Sequence, residues 1–142
     1  MDISSANSSL KIIVPSLYPA GFTVDNYAAD SMFEAAALTT KEDIMTADGH
    51  YHAGLIFNPV EWTITLAPPS AAASKLDDWQ AYEKTAQSVF FCNAVLRIPS
   101  LSVKYTFVNG VLYTWTPVPP GKRVMQPRPG VFRFEGVTRS AI

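Results

Sequence analysis

The sequence predicts a mainly β domain, an antiparallel β-sandwich or barrel with one flanking α-helix at about residues 70–87. Three observations predict it. Val60, Trp62, Ile64 and Leu66 alternate with Glu61, Thr63 and Thr65, the period of two that sends one set of side chains inward and the other outward. Two tight-turn pairs, Asp48-Gly49 and Asn109-Gly110, stand between extended segments. Only Ser70–Gln87 has a helical period, with Ala72, Leu76, Trp79, Tyr82, Ala86 and Phe90 falling on one broad face at 100° per residue.

The elements follow in order. Met1–Ser9 is polar and rich in Ser and Asn, so residues 1–9 are expected to be flexible. Leu10–Val14 is an apolar run closed by Pro15, Leu17–Gly21 reads as a turn, and Phe22–Val24 as a short strand. Ser31–Leu38 alternates imperfectly and is expected to be a strand. Residues 39–49 form an extended hairpin loop ending at Asp48-Gly49. His50–Phe57 is expected to pair with Val60–Leu66 about Asn58-Pro59, and Pro68-Pro69 ends that strand because neither proline donates to a ladder. Ser74 with Asp77 resembles a capping box for the helix. Phe91–Ile98 is a strand stopped by Pro99. Leu101–Thr116 is expected to be a hairpin turning at Asn109-Gly110 and pairing Val108 with Val111, Thr106 with Tyr113 and Lys104 with Trp115. Residues 117–130 carry Pro117, Pro119, Pro120, Pro127 and Pro129 and are expected to be an extended arm, after which Val131–Val137 is a last strand.

A chain of 142 residues fits one core, and residues 1–142 are expected to be a single domain. Charged residues make up only 16% of it, against roughly 25% in ordinary soluble domains, so its polar surface is thin. The net charge of −1 hides a segregation. Up to Leu96 there are four basic residues against eleven acidic ones; from Arg97 onward Arg97, Lys104, Lys122, Arg123, Arg128, Arg133 and Arg139 face only Glu135. Either the fold interleaves these halves, or the subunit is bipolar and attracts copies of itself. A nucleic-acid binder needs a net positive domain or a clustered basic stripe, which this balance does not supply. No apolar run approaches the ~20 residues that span a bilayer, and Met1–Ser9 lacks the charge and apolar pattern of a secretory signal, so no membrane association is expected. With Cys92 as its single cysteine the chain forms no internal disulfide.

No set of residues converges on a reaction, and the expectation is a non-enzyme without cofactor or metal. His50 and His52 share a strand face but lack a third ligand. Cys92 sits in the apolar run Val89–Cys92 and is expected to be buried and inert. Ser8-Ser9-Leu10-Lys11 has a serine-lysine spacing without its companion motifs, and Gly121-Lys122-Arg123 lacks the rest of a phosphate-binding loop. Asp77-Asp78 and Glu42-Asp43 are paired acids, the first explained by helix capping. A monomeric ligand-binding barrel with Trp62, Tyr105 and Trp115 around a cavity is the competing reading.

The order Asp48-Gly49-His50 through Leu66, then a Pro-Pro-Ser break and an acidic-capped helix, resembles the middle of contractile-phage tail-tube proteins. The end, Val111–Thr116, a proline-rich basic connection and Val131–Val137, is similar to theirs too. The resemblance implies a virion tail protein assembled in the host cytoplasm. Its hexameric rings would stack into a tube inside a tail sheath protein, with baseplate and tail terminator proteins as further partners. DNA would pass through the lumen without specific binding. Tubes of bacterial contractile injection systems look similar. The candidate subunit-interface residues are Thr39, Lys41, Glu42, Asp43 and Asp48 of the hairpin loop, Tyr113 and Trp115 of the last hairpin, and Lys122, Arg123 and Arg128 of the arm, because one core explains neither projection.

Overall fold

The computed structural model of the chain describes residues 8–24, 33–119 and 121–142. Its elements are β1 (Ser9–Val14), β2 (Tyr18–Val24), β3 (Phe33–Ala35), β4 (Lys41–Met45), β5 (Tyr51–Leu55), β6 (Val60–Leu66), α1 (Ala71–Ala86), β7 (Cys92–Ile98), a 3-10 turn at Pro99–Leu101, β8 (Val103–Trp115) and β9 (Arg128–Ala141). A seven-stranded sheet runs in the order β2-β1-β7-β8-β9-β6-β3, and β4 and β5 form a separate two-stranded sheet. Every pairing is antiparallel. The fold class read from the sequence holds, with the sheet open between its edges β2 and β3 rather than closed into a barrel.

The alternating strand does what its period requires. Val60, Trp62, Ile64 and Leu66 are all at most 5% exposed, and Phe132 and Phe134 of β9 face the same interior. Burying each of these side chains contributes roughly 1.5–3 kcal/mol. The sheet is curled: the ring of Trp62 on β6 stacks on Phe107 of β8 at 4.5 Å although β9 lies between those strands. Helix α1 covers the concave face with Ala72, Ala73, Leu76 and Trp79, the last against Phe132 at 6.0 Å between ring centroids. Only its first half is used this way. Tyr82 is 53% exposed and Ala86 is exposed, so the expected apolar face leaves the core after Trp79, while Phe90, beyond the helix, is half-buried and packs against the core again.

Four local readings are corrected. Asn109-Gly110 is not a hairpin turn: β8 is one strand of 13 residues, paired with β7 on one side and β9 on the other. Asn109 takes φ +52° as a bulge, between Cys92↔Gly110 and Ala94↔Phe107, and its N–H is accepted by Asn93 Oδ1 at 2.9 Å. Ladders on both sides outweigh a local turn preference, and the positive φ that Asn accepts serves the bulge instead. The partner of β5 is β4 rather than β6. The Asp48-Gly49 turn closes that pair, with Gly49 at φ +89° and the Thr46 N–H on His50 O at 2.8 Å, so His52 lies opposite Ile44 and not Thr65. The first turn falls at Pro15–Leu17, and β2 starts at Tyr18. The last strand starts at Arg128 and runs to Ala141, which shortens the arm. Of the expected strand Ser31–Leu38, Phe33–Ala35 is β3, and Ser31 and Met32 lie outside the described residues, as do residues 1–7.

Candidate self-association surface

The β4–β5 hairpin stands outside the core. All ten of its strand residues are exposed, and the pairs Ile44↔His52 and Met45↔Tyr51 belong to opposite faces. Its apolar side chains are open to solvent: Ile44 and Met45 at 63%, Tyr51 at 60%, Leu55 at 66%, with Phe57 beyond them at 91%. An isolated two-stranded hairpin is marginal in water, and apolar residues on both faces add nothing to it unless something covers them. Its base is fastened by Ile56 N–H to Thr40 O at 2.9 Å and by Asn58 Nδ2 to Thr39 O at 2.9 Å. At its tip the Thr46 hydroxyl bonds the Asp48 carboxylate, and the Tyr51 hydroxyl bonds Asp43. The first bond holds the Asp48 carboxyl below its ordinary range, and the second raises the Tyr51 hydroxyl above its own. Thr39, Lys41, Glu42, Asp43 and Asp48 are therefore all exposed, as an interface requires.

The arm between β8 and β9 leaves the core at a polar anchor. Arg128 is 5% exposed; its guanidinium donates to Asp77 Oδ1 at 3.0 Å, to Asp77 Oδ2 at 3.2 Å and to the carbonyls of Thr116 and Pro117 at 3.4 Å each. Trp115 Nε1 donates to the same Asp77 oxygen at 2.7 Å, and the guanidinium lies 4.7 Å from the Trp115 ring centroid. Asp77 thus serves this cluster and not the capping box, since the helix begins at Ala71 with Ser70 as its N-cap. Trp115 and Arg128, expected at a subunit interface, sit inside the protomer and hold the root of the arm. Lys122 and Arg123 are exposed on the arm, and Tyr113 is exposed at 56% under the Arg133 guanidinium, 3.8 Å from its ring centroid. The acidic and basic halves are interleaved at Arg128–Asp77 and at Arg133–Glu61, 3.8 Å apart.

The polar residues named from sequence miss the apolar ones beside them. Ile44, Met45, Tyr51 and Leu55 on the hairpin, and Val118, Val124 and Met125 on the arm, are all more than half exposed. The signal was present: both projections carry large apolar residues in segments bounded by turn residues. The remaining candidates stay apart. His50 and His52 are exposed on the hairpin, with Asp48 3.8 Å from His50, and among the described residues no group of three or more His, Cys, Asp or Glu is arranged to hold a metal. Cys92 is buried, and burial first, then the charge of Glu83, pushes its thiol up to about 12. A thiol held protonated in this way is a poor nucleophile. No helix among the described residues is long and apolar enough to cross a membrane. Trp62 and Tyr105 line an apolar cleft of about 320 Å³ with Phe33, Ala35, Phe107 and Val137, but Trp115, the third member of the expected cavity, belongs to the arm anchor instead.

One open, curled antiparallel sheet with a single covering helix and a projecting hairpin is a fold shared with chains of contractile injection systems. A chain of the PVC sheath-tube complex in its extended state, from an extracellular contractile injection system, superposes with TM-score 0.68 at 8% identity, covering 99% of this chain and 93% of that one. A chain from the anti-feeding prophage baseplate gives 0.61 at 10% identity, over 99% and 97%. Another, from the cap that terminates the anti-feeding prophage tube, gives 0.62 at 10% identity, over 100% and 93%. At these identities the likeness is one of fold, and the resemblance read from the sequence holds at that level. The chain belongs to the tail fiber protein gp32 family, whose model matches residues 1–138. No curated protein matches it.

Proposed function

We propose that the chain is a structural, non-catalytic subunit of a phage tail that assembles with copies of itself into stacked hexameric rings, forming the inner tube through which DNA is delivered. The observation that carries this reading is the β4–β5 hairpin, which the protomer builds and leaves bare on both faces. A head-to-tail contact repeated around an axis closes a ring when the rotation closes, and stacked rings form a filament. The sheath-tube neighbour, whose TM-score of 0.68 exceeds the 0.61 and 0.62 of the baseplate and cap chains, supports the tube over other tail positions. A tail sheath, a baseplate and a terminator are the partners that follow, and the lumen passes DNA without reading its sequence.

A second reading has its own support: chains of a baseplate and of a tube-terminating cap superpose nearly as well, so the subunit would form one ring at the end of a tube, in a phage or a related injection system. Negative-stain electron microscopy of the purified protein over a concentration series separates the two. Tubes that lengthen with concentration support the repeating subunit, and single rings support the terminal one. A monomer at every concentration refutes both.

A further inference from the structure

The last strand of the sheet is longer than its neighbour. Along β9, β6 pairs with Arg128 through Phe134 and stops there, at Val60, whereas β8 continues alongside as far as Ala141. From Glu135 to Ala141 the other edge of β9 has no ladder partner among the described residues. It is free of proline, and six of its seven residues are exposed. An open edge of this length is a template for another strand. The outer edge strands are poorer templates: β3 has three residues, and β2 contains Pro19 and a left-handed Gly21.

We propose that this edge receives the β4–β5 hairpin of a second copy by strand addition. The inference rests on the self-assembly reading and names its seat. The hairpin strands are five residues long, which fits the open stretch. Cross-strand partners share a face, so Lys41, Asp43, Met45, Tyr51, Ala53 and Leu55 lie together. Beside the open edge lies the apolar cleft, to which Tyr105, Phe107 and Val137 contribute. Met45, Tyr51 and Leu55 give the hairpin a matching apolar face. The charges match as well. The hairpin and its turn carry Glu42, Asp43 and Asp48 against Lys41 alone, while the receiving end of the sheet carries Arg97 opposite Lys104, and Arg139 opposite Tyr105, against Glu135 at the start of the edge and Glu34 at the cleft. Main-chain bonds then supply adhesion, and side chains supply register and partner choice. The hairpin leaves its own protomer between Ala35 and Val60, at the same end of the sheet as the open edge. A hairpin seated there joins neighbouring copies and leaves the arm for other contacts.

Two single variants, Asp43→Cys and Arg139→Cys, test the assignment. Both positions are exposed, and the buried Cys92 thiol does not compete. Mixed and oxidised under assembling conditions, they are expected to give a disulfide-linked heterodimer several times more abundant than the homodimer of either alone, with circular dichroism of both unchanged. The double variant is expected to give a covalent ladder. Rings that form normally without the heterodimer would overturn the seat and leave self-assembly standing, as would a double variant linked only within its own chain. A wild-type chain that never assembles would overturn the self-assembly reading and the seat with it.

Discussion

At Gly110 the absence of a side chain sets how closely two strands pack. The Phe134 ring lies over it so closely that an added Cβ would stand 2.1 Å from a ring carbon, and Phe134 is itself 1% exposed and 4.9 Å from Phe107 between centroids. Gly110→Ala forces the ring into a filled core, and overpacking of this kind costs about 1–3 kcal/mol. Urea denaturation followed by tryptophan fluorescence should show the midpoint falling with an unchanged slope. Asp77 is the second decisive residue, since it accepts from both Trp115 Nε1 and Arg128. Asp77→Ala leaves the buried guanidinium with two backbone carbonyls at 3.4 Å. The expected loss is about 2 kcal/mol, below the full cost of orphaning a buried charge because the Asp77 side chain is 40% exposed. Faster proteolysis within residues 116–127 would separate loss of the arm's anchor from a uniform loss of stability. Neither role was legible in the sequence. Asn109-Gly110 satisfies a turn and a bulge equally well, and Ser74–Asp77 has the spacing of a cap; only the position of distant strands decides each.

Among the elements, what the sequence reveals depends on whether the deciding partner is local. The alternation of β6 and the period of α1 are local properties, and both elements stand where they were expected. The choice of β4 rather than β6 as partner for β5 is not local, because two turn signals, Asp48-Gly49 and Asn58-Pro59, flank the same strand. The closing Gly49 bends the chain at φ +89°, while Pro59 offers no N–H to close a turn. The sequence points to residues 39–49 and the arm as projections but assigns His50–Phe57 to the main sheet, and it does not single out the apolar residues of either projection, because exposure is a property of the packed molecule. As Ile56 N–H already meets Thr40 O at 2.9 Å, a short Gly-Ser linker can replace residues 41–55 without straining the sheet. That deletion should leave the melting temperature of the protomer unchanged within a few degrees and abolish assembly. Removal of residues 118–126 should likewise spare folding and stop tube growth; light scattering and thermal melts read both outcomes.

For the whole molecule, low charge content finds its physical explanation in where the apolar surface lies. The core accounts for the inward faces of the sheet and half of α1, while the exposed large apolar side chains include five on and beside the hairpin, Ile44, Met45, Tyr51, Leu55 and Phe57, and three on the arm, Val118, Val124 and Met125, with others lying along the sheet, on α1 and just after it. The segregated charges interleave at Asp77–Arg128 and Glu61–Arg133, while Glu42, Asp43 and Asp48 stay exposed on the hairpin and Arg97 and Arg139 stay exposed at the receiving end of the sheet. A bipolar, partly apolar surface is what a repeating subunit needs. Electron microscopy of the purified wild-type chain, with sedimentation velocity at the same concentrations, tests this claim most directly. Sixfold rings that stack into tubes as concentration rises are expected; a single, concentration-independent monomer peak with no rings on the grid would refute self-assembly.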